Sequence, residues 1–442
     1  MNKPRSENQA IPPIPLQEWQ KVTPDESPLV TGVYLDHDPA IQQQIAYLNK
    51  SKRIEILELV NGLQIRTFQH IGQVQIGPLR ITIRPKIDGV RFLSLLQYAY
   101  SWRKLEFFDS SALNLDDNGF QDILILQLLA EAKNILGRGL TRNYEPVKEK
   151  LTSPKGRIDF TQYAYNGGLS DASLFCRHYL RLENNILNQA LLAGLKLSSR
   201  ITSDIKLRTE LRRISQILEQ NVSIIKLGSA LIQKARINTN RLTTNYRPSL
   251  SIIEILLSSQ GISLDGKEDN NKLPGFLFDM NRFYQALLSR FLSENLFGYD
   301  VQNEFQLSGM LAYHPQHNPQ RHRAATIRPD YAIVKEHQVI ALIDAKYRDL
   351  WENPLPRDMV YQLAIYAFSQ KRPGTATILY PTINQEAQEA WLNVRDPKTT
   401  ETLAKVVLRP VNLLKLEEMV NASNTKYLRR EKFKFAKQLV FG

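Results

Sequence analysis

Residues 326–347 read TIRPDYAIVKEHQVIALIDAKY, and the chemistry of the chain is written there. Two apolar runs, 326–334 and 339–347, have strand character and are separated by a short polar turn at 335–338. Side chains alternate across a strand, so Asp344 and Lys346 project to the same side. If the two strands pair through that turn, Asp330 reaches the same spot. Val339 to Ile343 is a buried-strand pattern that ends in two charged residues, which is costly without a function. A bare D-x-K string is common and by itself closes a strand end with an ordinary ion pair. Two carboxylates beside a lysine also form a hard-oxygen site suited to Mg²⁺, which polarises a phosphate and activates a water. Lys346 then positions or deprotonates that water, or stabilises charge building on the phosphorus centre.

Working outward, an amphipathic helix is expected at 278–296 and a strand at 299–307. A loop rich in His, Pro, Gln and Arg leads into the quoted segment. A helix at 357–369 and a strand at 375–380 follow it. Gln362 and Tyr366 are four residues apart and share one face of that helix. Upstream, residues 53–87 read as a small antiparallel sheet with a hairpin turn at Asn61-Gly62. Helical spacing takes over at 91–100 and 121–136, and Gly137 and Gly139 mark the stop. A second unit begins near Tyr144, with helices expected at 181–199, 202–218 and 248–258. Between Lys196 and Arg241 stand ten Lys/Arg against three Asp/Glu, a surface that faces DNA, a partner or solvent. The polar stretch 261–274 is the best boundary.

The chain of 442 residues carries a net charge of +13 with one cysteine, and its mean hydropathy is −0.33. That length implies two or three domains, and the charge points to a polyanionic partner. Cys176, read as a buried apolar residue, excludes an internal disulfide framework and a cysteine zinc site. No run approaches the roughly 18 apolar residues that span a bilayer, and the polar, proline-rich start is not a signal peptide, so a cytoplasmic location is expected. The expected organisation is a flexible leader at 1–28, a strand-rich region at 29–143, a mainly helical domain at 144–270 and a final domain at 271–442.

Asp330 with Asp344-Ala345-Lys346 resembles the signature of the PD-(D/E)xK nuclease superfamily, and Gln362 to Tyr366 resembles its Q-x-x-x-Y helix. The chain further resembles the McrC family, the nuclease subunit of McrBC-type restriction systems. RITIRPKI at 80–87 is similar to that family's strand ending in I-x-P-K. Gly139-Leu140 to Tyr144, Gly156 to Phe160 and the N-x-x-L-N string at 184–188 are similar to its middle segment. The resemblance implies an α/β chain, α+β overall, with a mixed N-terminal partner-docking region before a restriction-endonuclease-like domain. It implies a Mg²⁺-dependent DNA endonuclease that cuts modified double-stranded DNA in phage defence, with an McrB-like AAA+ GTPase as partner. The implied site is Asp330, Asp344 and Lys346, with Gln362 and Tyr366 beside it.

The chain departs from the family where a Glu usually follows the first helix's Phe: Phe283 is followed by Tyr284. Glu304 is the expected third metal ligand, with Asp279 and Glu294 as alternatives or a water in its place. GISLDGKE at 261–268 lacks the hydroxyl residue and the helix of a P-loop and reads as linker. His314, His317 and His322 lie in a basic loop without acidic partners, not in a zinc pattern. The tail at 426–437, with six basic residues against Glu431, either contacts phosphate or docks on its own domain. A non-catalytic adaptor of nuclease fold, and a nuclease without a motor, are the rival readings.

Overall fold

The computed structural model describes residues 13–35, 38–87, 89–103, 119–165, 173–259, 275–370, 374–423 and 425–442. The start of the expected leader and the 261–274 linker with its P-loop-like string lie outside them. The chain divides into two compact units, one built from Met1–Asp116 and Leu273–Gly442, the other from Asp117–Lys272. The first unit is therefore split in sequence, and the second is an insertion within it.

The split unit opens with β1 (Ile14–Gln17), β2 (Lys21–Val22) and α1 (Pro39–Lys50). Two hairpins follow, β3 (Ile54–Leu59) with β4 (Gly62–Thr67), and β5 (His70–Ile76) with β6 (Leu79–Arg84), then α2 (Gly89–Tyr100). The Asn61-Gly62 turn is where expected. The expectation of a flexible leader at 1–28 is corrected from residue 14 onward. Ile14 and Leu16 alternate into the core, and β1 runs parallel to β6 as the edge of its sheet. An edge tolerates Pro15, which has no N–H to give to a ladder. The single sheet expected over 53–87 is two sheets, β2-β4-β3 and β1-β6-β5-β10.

The inserted unit contains α3 (Gly119–Arg138), β7 (Asn143–Leu151), β8 (Arg157–Ile158), α4 (Phe160–Tyr165) and β9 (Leu174–Leu182). It continues through α5 (Ile186–Ile201), α6 (Ile205–Glu219), α7 (Ser229–Ile237) and α8 (Arg247–Ser259). The boundary expected at 144 moves to 117, because α3 packs on α5, α6 and α8. The helix expected from 181 starts at Ile186, where the Asn185 side chain accepts from the Leu187 and Asn188 N–H groups. Such a cap is worth about 1 kcal/mol. Asn188, four residues after Asn184, donates to the carbonyls of Thr141 and Glu183 and accepts from Tyr246 Oη. The N-x-x-L-N string thus braces this unit.

The chain then returns to the split unit with β10 (Gly275–Asp279), α9 (Met280–Asn295), β11 (Asp300–Asn303), β12 (Tyr331–Lys335) and β13 (Gln338–Ala345). It ends with α10 (Arg357–Phe368), β14 (Gly374–Thr382), β15 (Ala390–Arg395), β16 (Thr402–Asn412), α11 (Leu413–Asn421) and α12 (Lys426–Phe441). The main sheet has the order β11-β12-β13-β14-β16-β15. Its centre, β13-β14-β16, is parallel, and both flanks are antiparallel. The basic tail forms α12, which docks on its own unit through Phe435 against Phe291, with ring centroids 5.8 Å apart. Among the described residues no helix is long and apolar enough to cross a membrane.

The region expected at 29–143 as a separate docking domain is joined to the C-terminal half by backbone and core. β10 pairs with β5, and Gly72 lies so close to β10 that a Cβ there would meet the Phe276 carbonyl oxygen at 2.2 Å. Phe92 of α2 packs edge-on against Phe283 of α9 at 5.2 Å. Residues 273–442 made alone should therefore fail to melt cooperatively, since β10 loses its ladder partner and α9 its aromatic cover. A chain in which a short Gly/Ser linker replaces 117–272 should keep one cooperative transition in thermal denaturation. The opposite pair of results would reject the split-unit description.

Candidate active site

The strand register brings the two aspartates together. The β12–β13 turn is closed by Lys335 opposite Gln338, with Glu336 and His337 both at positive φ (50° and 64°). That is the backbone of a two-residue primed turn, whose twist suits a hairpin. Val334 faces Val339, but Ile333 faces Ala341, so Ile340 is an extra residue on β13. From there Tyr331 faces Ile343, and Asp330, one residue ahead of β12, comes level with Asp344. Because a one-residue slip swaps the faces of a strand, the bulge decides whether the acids meet.

Asp344 is 2% exposed. Its Oδ2 receives Lys346 Nζ at 3.0 Å, while Oδ1 is buried without a hydrogen-bond donor. Asp330 is held from two sides: Oδ1 accepts from Gln285 Nε2 at 2.9 Å, and Oδ2 accepts from the Ala345 N–H at 2.8 Å. Burial, and after it the neighbouring Asp330 charge, pushes the Asp344 carboxyl up to about 7 against the pull of the Lys346 ammonium. Burial works to lower Lys346, yet the Asp344 and Asp330 carboxylates outweigh it and hold the amine above its ordinary value. Lys346 is thus a fixed cation at neutral pH.

The helix pair is also near, in a supporting position. Gln362 Nε2 donates to Tyr366 Oη at 2.5 Å, and Tyr366 Oη donates to the Arg328 carbonyl at 2.9 Å. Burial first, then the Asp344 charge, raises the Tyr366 phenol, which keeps its proton for that bond. α10 therefore pins the backbone two residues before Asp330.

Tyr284 is in the core, edge-on to Tyr347 at 5.9 Å. The polar group that α9 presents to the site is the next residue, Gln285, which sequence reasoning missed. The signal was the helical neighbour of the departed Glu position. Asn281, one turn earlier, accepts the Tyr347 N–H at 2.9 Å and ties α9 to the end of β13.

Glu304 is not gathered with the two aspartates: its N–H donates to the Asp330 carbonyl at 2.9 Å, while its side chain is exposed. Asp279 instead caps α9, and Glu294 accepts from Tyr98 and Arg290. Among the described residues no three His, Cys, Asp or Glu side chains are grouped to hold a metal. The pair itself fits a divalent cation, since two adjacent carboxylates include one buried oxygen without a donor.

The sign of the titration gives a test. A buried carboxyl raised to about 7 favours folding below its ordinary value near ~4 and loses that contribution as pH rises through about 7. Glu18, pushed up to about 7 by burial, acts in the same direction, so the difference between wild type and Asp344→Asn cancels Glu18 and reports Asp344 together with its neighbours Asp330 and Lys346. In EDTA the wild type should lose melting temperature relative to Asp344→Asn between about pH 4 and about pH 7. The substituted chain should melt several degrees higher at about pH 8, on a scale of about 2–4 °C per kcal/mol. Parallel profiles for the two proteins would mean that Asp344 is not buried as described.

A family model described as McrBC 5-methylcytosine restriction system component matches residues 65–381. No curated protein matches the chain. Among solved structures, the fold is similar to a chain in the refined half-complex from the tetradecameric assembly of Thermococcus gammatolerans McrB AAA+ hexamers with bound McrC. That match has 17% identity over 96% of this chain and 99% of that one, with a TM-score of 0.56. The cryo-EM structure of the Thermococcus gammatolerans McrBC complex matches at 18% identity over 64% of this chain and 88% of that one, TM-score 0.46. With the family model spanning from the β4 strand to the end of β14, this chain belongs to the McrBC 5-methylcytosine restriction system component family.

Proposed function

We propose that this chain is the DNA-cutting subunit of a modification-dependent restriction complex, a Mg²⁺-dependent endonuclease that works with an McrB-like AAA+ GTPase. The observation that carries the reading is the juxtaposition of Asp330, Asp344 and Lys346, with Asp344 Oδ1 buried and without a donor. Nothing in folding alone rewards a buried carboxylate beside a second one, and such perturbed groups cluster at functional sites. Asp330 and Asp344 would hold the ion. A bound Mg²⁺ supplies Lewis-acid polarisation of the scissile phosphate and a water acidic enough to attack at neutral pH.

The chain's own groups do the rest. Gln285 and the Ala345 N–H fix the Asp330 carboxylate, so its orientation is set before substrate arrives. Of the roles open to Lys346, the protonated amine favours stabilising negative charge on the phosphoryl oxygens over removing a proton from water. Gln362 and Tyr366 act as positioning residues through the Arg328 carbonyl. The partner assignment is supported by the likeness to the half-complex in which McrC is bound to McrB AAA+ hexamers. Family membership supports DNA with modified bases as the substrate.

Asp330→Asn, Asp344→Asn and Lys346→Ala should each cut Mg²⁺-dependent cleavage by the partnered complex about a hundredfold or more. Association with the GTPase and its GTP turnover should stay near wild type. The carboxylate variants should shift the Mg²⁺ dependence upward, whereas Lys346→Ala should lower the rate with the metal response kept. Full cleavage by Asp344→Asn would end the nuclease reading and leave a non-catalytic adaptor as the better account.

A further inference from the structure

The strand register of the inserted unit sorts its side chains by chemistry. β7 and β9 pair antiparallel along their length, and directly opposite residues share a face. On one face Tyr144 stands opposite Arg181, Lys148 opposite Arg177, and Lys150 opposite Phe175. Pro146 and Tyr179 fill the pair between, and β8 brings Arg157 alongside Arg177. Every position on this face is basic, aromatic or proline. The acids of β7, Glu145 and Glu149, alternate onto the other face, where Cys176 and His178 are buried.

The basic face is open to solvent, with Tyr144 59% and Tyr179 67% exposed. Lys148, Arg177 and Arg157 lie side by side across three strands. Like charges directly opposite are destabilising, and Asp159, which accepts from Arg177 Nε at 2.6 Å, neutralises one of them. A solvated face chosen for solubility would mix its signs, and the acids available on the same strands are on the far side. Along β9 rings and cations alternate, Phe175, Arg177, Tyr179 and Arg181, and two cations lie against rings: the Arg181 guanidinium is 5.2 Å from the Tyr144 ring centre and the Lys150 ammonium 5.6 Å from that of Phe175. Alternate residues of a strand are about 7 Å apart, a row of point charges with flat rings between them. Phosphates take the charges, and exposed bases or sugars take the rings.

We propose that this face of the β7–β9–β8 sheet binds the sugar–phosphate backbone of DNA, a second contact on the substrate apart from the Asp330/Asp344 site. The proposal rests on the reading of the chain as a DNA-cutting subunit. It is tested on the full-length chain in EDTA, where no cleavage occurs, by fluorescence anisotropy with a labelled duplex and a labelled single strand over a range of salt. Lys148→Ala/Arg181→Ala should weaken binding about tenfold and lower the log–log salt slope by about 2, since each lost phosphate contact removes about 0.9 on a duplex. Tyr144→Ala/Tyr179→Ala should weaken single-strand binding by about tenfold or more. Glu145→Gln, on the far face, should change neither.

Loss on either form of DNA, in variants that melt like the wild type, supports the proposal. Unchanged affinity and salt slope on both forms overturn it. So does unchanged DNA binding accompanied by loss of the AAA+ GTPase, which would make the face a protein-docking surface. The cutting assignment is read from Mg²⁺-dependent cleavage and this one from binding in EDTA, so failure of one is distinguished from failure of the other.

Discussion

A carboxylate kept almost wholly out of water, at Asp344, is the constraint around which the split unit is arranged. Transferring such a charge from water is expensive, and the nearest relief is one ammonium, Lys346, that is itself mostly covered. The second acid beside it, Asp330, adds repulsion to desolvation. The surroundings answer with donors aimed at Asp330, so the strain concentrates on one oxygen of Asp344. Three elements converge there for that purpose: α9 through Gln285, α10 through Tyr366 on the Arg328 carbonyl, and β13 through its own backbone.

The site was legible in the sequence because its parts are local. Asp330, Asp344 and Lys346 lie within a single hairpin, and alternation along two strands is enough to bring them together. What was not legible was the bulge. Nothing in VKEHQVIAL announces that Ile340 will be surplus, yet the register of the acids turns on it. Gln285 was hidden for a different reason: it matters only through a hydrogen bond to a residue 45 positions away. Glu304 was close in backbone and wrong in side chain, a distinction that periodicity cannot make in a loop.

The fold divides the same way. α10, expected at 357–369 and found at Arg357–Phe368, was readable close to its limits, whereas α5 begins five residues later than its spacing suggested, where Asn185 caps it. The domain plan was not. Contiguity in sequence suggested three successive blocks, whereas β10 crosses back to complete a sheet begun before residue 80. Such long-range ladder pairing leaves no local trace: Phe278 and Asp279 read as the start of the following helix to anyone who cannot see β5 beside GFLFD. Likewise Ile14 and Leu16 gave only two apolar positions among prolines, too few to mark a strand whose stability comes from β6.

The interrupted layout of the split unit has a consequence for the chain while it is being made. Its first strands leave the ribosome before residues 117–272, and the strand that completes their sheet emerges only after that insertion. The inserted unit is continuous, so it has every part it needs to fold first, in the usual order of synthesis. Until β10 appears, β5 presents an unpaired edge, the kind of surface that invites association with other chains. The two aspartates come later still. A product truncated before β13 therefore carries Asp330 without Asp344, and the buried pair never forms.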